Sequence, residues 1–187
     1  MRHLAVKSLC QPSGFEGGVV KVPHGGVFGL VIMGMLPFEK KEKQAIIFIG
    51  IQASGKSTFY YRLLDDGTYT HISLDILHTR NKEKQLLMEC LVEGKSFVVD
   101  NTNPEISDRA KYIQKAKEYS YNVIGIFFQS IVRDCVRRNE ERRNKVPSTA
   151  IASTSNKLQM PSRTEGFDEL YFARIVNNEF EITTWKE

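Results

Sequence analysis

The sequence predicts an α/β fold, a parallel sheet with helices on both faces. Three observations carry that expectation. Short apolar runs at 45–49, 96–99 and 122–128 alternate with stretches of helical period, the order that builds a parallel sheet. The first run enters Gly50-Ile51-Gln52-Ala53-Ser54-Gly55-Lys56-Ser57, which fits the phosphate-binding pattern G-x-x-x-x-G-K-[ST] and is followed by a helical stretch. Gly50, Asp75 and Asp100 each follow a predicted strand, at the end where such sheets bind ligands.

The chain divides near residue 44. Over 1–36, Gly14, Gly17, Gly18, Gly25, Gly26, Gly29 and Gly34 interrupt every period, and a charged lead-in follows at 38–43. Residues 1–44 are therefore expected to be a poorly ordered extension, or to begin upstream of the natural start. A short hairpin against the domain is the alternative. Residues 45–187 form the expected domain, and a chain of that size buries about two-thirds of its unfolded surface.

Within the domain, the phosphate-binding pattern leads into a helix over 57–64, and Asp65-Asp66-Gly67 marks a turn. A strand over 69–74 ends in Asp75. The stretch 82–93 places Leu86, Leu87, Cys90 and Leu91 on one helical face, and Gly94 closes it. The strand 96–99 delivers Asp100-Asn101-Thr102-Asn103. Asn103 is expected as N-cap and Pro104 as first residue of a helix to about Tyr119. A strand follows at 122–128, then an Arg-rich helix over 131–143 with Ser130 as its cap. Val146-Pro147 breaks the pattern before a helix that ends at Lys157. Strands at 169–176 and 180–185 close the chain.

Composition narrows the function. Of the chain's 26 Lys/Arg and 22 Asp/Glu, residues 1–44 hold six and three, leaving 20 against 19 and a net charge of +1 for the domain. That balance gives no general attraction to polyanions, so any basic surface is local. Cys10, Cys90 and Cys135 form no C-x-x-C pair and no ligand spacing with the four histidines, as free thiols of a reducing compartment would. The ten-residue apolar run 27–36 is too short to span a bilayer. A cytoplasmic protein without a membrane partner is expected.

The phosphate loop states its own chemistry. Glycines at both ends let the backbone curl so that successive N–H groups point at phosphate oxygens. Lys56 reaches the β- and γ-phosphates, and the Ser57 hydroxyl is placed to ligate Mg²⁺. The helix starting near Lys56 turns its unpaired N–H groups toward the same anion. Residues Gly50, Ile51, Gln52, Ala53, Ser54, Gly55, Lys56, Ser57 and Thr58 are thus expected to hold ATP with Mg²⁺, in a P-loop NTPase fold.

Two carboxylates and two arginines are candidates for the rest of the site. Asp75 is either a helix N-cap or a carboxylate that orients an acceptor hydroxyl and takes its proton. Asp100 stands where a second acidic group would lie near the metal, or hold its loop by backbone hydrogen bonds. Arg138 and Arg142 are four positions apart in a run rich in Arg, so in a continuous helix both face one way. They are either part of a solvated, salt-bridged face or a clamp on phosphates as charge develops.

From residue 45 onward the chain resembles the kinase domain of polynucleotide 5′-hydroxyl kinases, a P-loop, AAA-type ATP-binding family that phosphorylates 5′-OH ends of DNA or RNA. The matching segments are GIQASGKST (50–58), HISLD (71–75), VVDNTNP (98–104), RNEER (138–142), VP (146–147) and PSRTEGF (161–167), in the family's order. The resemblance implies a helical lid carrying Arg138 and Arg142 over the phosphates, Asp75 as general base, and Lys56 and Ser57 on ATP·Mg²⁺. Where the family often has an arginine three residues after the base, this chain has His78. No phosphatase or ligase module is expected beside the domain. The leading expectation is ATP-dependent transfer of the γ-phosphate to a nucleic-acid 5′-OH end. The alternatives are a small-molecule acceptor (a nucleoside, sugar or antibiotic hydroxyl) and a nucleotide-binding module without transferase activity.

Overall fold

The computed structural model describes residues 32–33 and 35–187. Among them, β1 (Ile32–Met33), β2 (Gln44–Ile49), β3 (Thr70–Ile72), β4 (Phe97–Val99), β5 (Asn122–Phe128), β6 (Glu169–Val176) and β7 (Glu179–Thr184) form one sheet. Its order is β1-β7-β6-β5-β2-β4-β3. Neighbours from β3 to β6 pair in parallel, as expected for strands separated by helices. The closing hairpin β6–β7 and the β1–β7 pair are antiparallel. The helices are α1 (Lys56–Leu63), α2 (Leu74–Leu77), α3 (Arg80–Glu93), α4 (Ile106–Glu118), α5 (Val132–Glu140) and α6 (Ser148–Lys157), followed by a 3₁₀ turn at Arg163–Glu165.

All six residues of β2 are buried, which is why it is almost wholly apolar and does not alternate with polar residues. Its side chains alternate between two cores. Ala45, Ile47 and Ile49 pack with Leu87, Cys90 and Leu91 of α3 and Tyr112, Ile113 and Ala116 of α4. Ile46 and Phe48 face the other way, onto Phe59 and Tyr60 of α1 and onto Phe180 and Ile182 of β7. Phe48, Phe59 and Phe128 meet edge to face, with centroids 5.0–5.7 Å apart. A third, smaller cluster of Ile51, Cys135 and Ile151 seats α5 and α6 against the loop after β2.

The chain winds from β2 out to β3 and back to β4, then crosses to β5 on the far side of β2. The loop after β2 therefore opens at the point where the winding reverses, the usual ligand crevice of such sheets.

Several expected boundaries move. The extension divides: residues 1–31 and 34 lie outside the described residues, whereas Leu36, Pro37 and Phe38 are half-buried against the domain and Gln44 opens β2. Leu36 and Phe38 join the core beside α1, and Lys40 pairs with Asp66. The strand expected over 69–74 ends at Ile72, and Leu74 and Asp75 open α2. The helix expected from Pro104 begins at Ile106 with Glu105 as N-cap. Asn103 instead adopts a left-handed φ of 44 and donates its amide to the Phe48 carbonyl at 2.7 Å, joining two strand ends. The helix expected to reach 143 stops at Glu140, with Ile131 and not Ser130 as its N-cap. Among the described residues, no helix is long and apolar enough to cross a membrane.

Candidate functional site

The loop after β2 owes its shape to two glycines. Gly50 has φ 151 and Gly55 has φ 106, in the region that favours glycine. A Cβ on Gly50 would come within 3.0 Å of both the Ser130 and the Ser54 hydroxyl oxygens, and one on Gly55 within 2.8 Å of Ile175 Cδ1. Ser130 is close because it shapes the loop. Its hydroxyl accepts from the Ile51 N–H at 3.1 Å and donates to the Phe128 carbonyl at 2.8 Å. That is the role the structure gives it in place of the expected helix cap. Gly50 itself donates its N–H to the Thr102 carbonyl at 3.0 Å.

Lys56 is 8% exposed. Its ammonium donates to the Gly50 carbonyl at 3.0 Å and to the Ile51 carbonyl at 2.7 Å. Burial brings its pKa down to about 8, against the opposing pull of Asp100, Cys135 and Asp75, while Arg142 lowers it further. The α1 helix starts at this lysine with Gly55 as N-cap, no side chain caps it, and its first turn contains no acid. A cation at a helix start with open N–H groups fits a phosphate.

On the acidic side, Ser73 is the N-cap of α2, so Asp75 lies in the first turn and is not a helix cap. Asp75 is exposed and makes no hydrogen bond or ion pair among the described residues. Asp100 is buried just past β4, its N–H on the Ile72 carbonyl at 2.8 Å. Its Oδ2 lies 3.1 Å from His71 Nε2, and the His71 ring stacks on Tyr60 at 3.7 Å.

The segment expected to form a lid is a helix followed by a pinned loop. Asn139, buried at the end of α5, holds Val146 with both ends of its amide, 2.8 Å to the carbonyl and 3.1 Å from the N–H. Arg142 lies in the loop so closed, past the helix end, with its N–H on the Asn139 carbonyl at 3.1 Å. The helix ends before Arg142, so no continuous helix aligns it with Arg138, yet both line the same cavity. Arg138 reaches the phosphate loop itself, Nε donating to the Ala53 carbonyl at 2.8 Å.

That cavity measures about 1030 Å³. It brings together Gln52, Ala53, Gly55, Lys56, Ser57 and Thr58 of the loop with Asp75, Asp100, Arg138 and Arg142. Gly50, Ile51 and Ser54 are outside its lining and shape the loop from behind. The wall beside Asp75 adds His78, Arg80, Asn101 and Asp108, which sequence reasoning did not assign. Among the described residues, no three or more His, Cys, Asp or Glu side chains form a metal cluster. Mg²⁺ does not require one, since it is typically held by one or two protein oxygens together with substrate phosphates. A Ser57 hydroxyl and an Asp100 carboxylate beside a phosphate cradle fit that donor set.

Residues 46–161 match the family model described as the AAA domain. Over 160 residues the chain is 32% identical to a bifunctional polynucleotide phosphatase/kinase of Schizosaccharomyces pombe, covering 80% of this chain and 39% of that protein. Over 141 residues it is 27% identical to an L-seryl-tRNA(Sec) kinase of Methanococcus maripaludis, covering 66% of this chain and 55% of that protein. The chain thus aligns with less than two-thirds of the length of either relative. Among solved structures, a gluconokinase from Sinorhizobium meliloti shares the fold with a TM-score of 0.55 at 17% identity, over 73% of this chain and 85% of that one.

Proposed function

The chain belongs to the AAA domain family, and on that premise we propose that it is an ATP-dependent phosphotransferase that moves the γ-phosphate to a hydroxyl, a 5′-OH end of DNA or RNA. The observation that carries this reading is one cavity lined at once by the phosphate loop, by the exposed carboxylate of Asp75, and by Arg142 of the lid loop. Holding a nucleotide alone calls for the first of these. An unpaired carboxylate in the same space serves a proton transfer. The relative's description as a polynucleotide phosphatase/kinase supports the nucleic-acid acceptor. The Arg80 guanidinium in the same lining, able to meet an acceptor's phosphate, supports it too.

Asp75 takes the proton of the acceptor hydroxyl while that oxygen bonds to the γ-phosphorus. The bond from the γ-phosphorus to the bridging oxygen breaks, and ADP leaves with the electron pair. Lys56 exchanges its carbonyl partners on Gly50 and Ile51 for phosphate oxygens, and the open N–H groups of α1 face the same anion. Arg142 meets charge that grows on the transferring group. Arg138 holds the Ala53 carbonyl, and so the loop's shape, from the lid side. Ser57 and Asp100 would hold Mg²⁺, which when bound would supply neutralisation of the phosphate charge.

The test is transfer of labelled γ-phosphate from ATP to 5′-OH oligonucleotides, with a parallel panel of nucleosides, sugars and antibiotics. Label on the oligonucleotide 5′ end upholds the reading. Label on a metabolite alone would assign a small-molecule acceptor, and label on neither would leave only nucleotide binding.

A further inference from the structure

None of the four residues of α2 is buried, yet this short helix carries Asp75. A single turn does not hold itself in water, so something outside it must fix the carboxylate. Its first N–H, on Leu74, donates to Asn101 Oδ1 at 3.0 Å. The other end of that amide points inward, donating to Glu83 Oε1 at 2.5 Å and reaching Tyr112 Oη at 3.3 Å. Tyr112 donates its hydroxyl to the same Glu83 oxygen at 2.7 Å. The second Glu83 oxygen accepts from Arg80 Nη1 at 2.9 Å, and Arg80 lines the cavity. Glu83 is 4% exposed, although it belongs to a residue type that is almost never buried without partners. An ionised carboxylate is acceptor-only, so it demands the NH₂ end of Asn101 and leaves the amide oxygen for Leu74. Burial and the Glu83 contact also push the Tyr112 phenol well above its ordinary pKa, which keeps it a donor.

We propose that Glu83 is a positioning residue for the acceptor half of the site. One oxygen sets Asn101, and through it the α2 backbone that carries Asp75. The other oxygen sets Arg80 on the adjoining wall. Nothing in this arrangement touches the phosphate loop, so the nucleotide half is served by other contacts. The inference rests on the reading of Asp75 as general base.

The experiment uses the full chain with ATP and a 5′-OH oligonucleotide. Glu83→Gln keeps the shape but leaves a single acceptor oxygen for the three donors of Asn101, Tyr112 and Arg80. Glu83→Gln is expected to lower kcat/KM for the oligonucleotide about 10- to 100-fold through misplacement of the base, with KM for ATP within about twofold. Hydrogen exchange at residues 73–78 should accelerate while exchange in β2 stays unchanged. The Asp75→Asn/Glu83→Gln double variant should lose little beyond Asp75→Asn alone, because residues acting through one another are not additive. Asn101→Ala, which cuts the chain at its next link, should reproduce the exchange result and decides the matter if Glu83→Gln does not fold. Equal losses for ATP and oligonucleotide, or unchanged exchange at 73–78 in a folded variant, would overturn the proposal. If the wild type leaves the oligonucleotide unlabelled, or Asp75→Asn is fully active, the functional reading falls. The exchange measurement then still upholds or overturns the tether by itself.

Discussion

Arg109 and Glu165 form a buried, two-pronged pair, Nε to Oε2 at 2.6 Å and Nη2 to Oε1 at 2.8 Å, across 56 residues of sequence. Arg109 is 0% exposed, and its remaining nitrogen donates to the carbonyls of Asn103, Pro104 and Gln159 at 3.1–3.2 Å. One guanidinium thus fastens the turn after β4 to the segment that follows α6. Breaking a buried pair from one side strands a charge and typically costs about 3–5 kcal/mol. Arg109→Met should lower the melting temperature by about 10 °C, at about 2–4 °C per kcal/mol for a chain of this size. Thermal unfolding followed by circular dichroism checks it, and a shift within a degree or two would show that the pair is not structural.

Lys56→Ala should nearly abolish phosphoryl transfer. Losing one charge-assisted contact to the transition state costs about 10²–10³ in rate. The residue's hydrogen bonds go to loop carbonyls and not into the apolar core, so the far-ultraviolet spectrum should stay as in wild type. An active Lys56→Ala protein, purified clear of host kinases, would end the assignment.

Affinity for ATP should depend on pH in one direction. The triphosphate binds the charged lysine, and burial leaves the Lys56 ammonium of the free protein at about 8. Below that value the charge is present and affinity is level. As pH rises through it, the free protein loses the proton and binding weakens, by up to about tenfold per pH unit. A bound phosphate favours the charged form, so in the complex the loss begins at higher pH. Calorimetric titration between about pH 7 and pH 9 measures this, with Lys56→Arg as the control that stays flat. A level profile in wild type would mean that Lys56 does not meet the phosphates.

Base and lid separate by their kinetic signatures. Asp75→Asn should keep ATP affinity and lower kcat about 10²–10⁴-fold, since the amide keeps the shape and cannot accept the proton. Arg142→Lys should also lose turnover, because lysine lacks the planar fork that binds two oxygens. Arg143 is exposed and outside the cavity lining, so Arg143→Lys should be near wild type. Normal turnover in Asp75→Asn would leave that residue without a catalytic role. Equal losses at 142 and 143 would move the lid contact elsewhere.

Elements written wholly within one segment fold as their residues predict, whereas polar side chains with a choice of partner do not. Asn103 and Ser130 are both good helix caps by type. The helices begin three residues after Asn103 and two after Ser130, because Asn103 goes to the Phe48 carbonyl and Ser130 bridges the Ile51 N–H and the Phe128 carbonyl. Asp75 was open between cap and base, and Ser73 took the capping position. Leu74 is apolar and continues the strand pattern. It became helical because its N–H found Asn101, which lies beyond another strand and another helix.

By itself the sequence determined the α/β order of elements, the buried central strand, and the phosphate loop with Lys56 and Ser57. Each of these is written in contiguous residues, where spacing along the chain already sets geometry. Only the tertiary structure decided that Ser130 supports Ile51 across 79 residues, that Arg138 reaches Ala53 across 85, and that Glu83 orders the surroundings of Asp75 through Asn101. The physical reason is that a hydrogen bond has no periodicity in sequence. Which donor meets which acceptor depends on which strand ends the sheet brings side by side, and that order, with β4 and β5 flanking β2, exists only once the chain has folded.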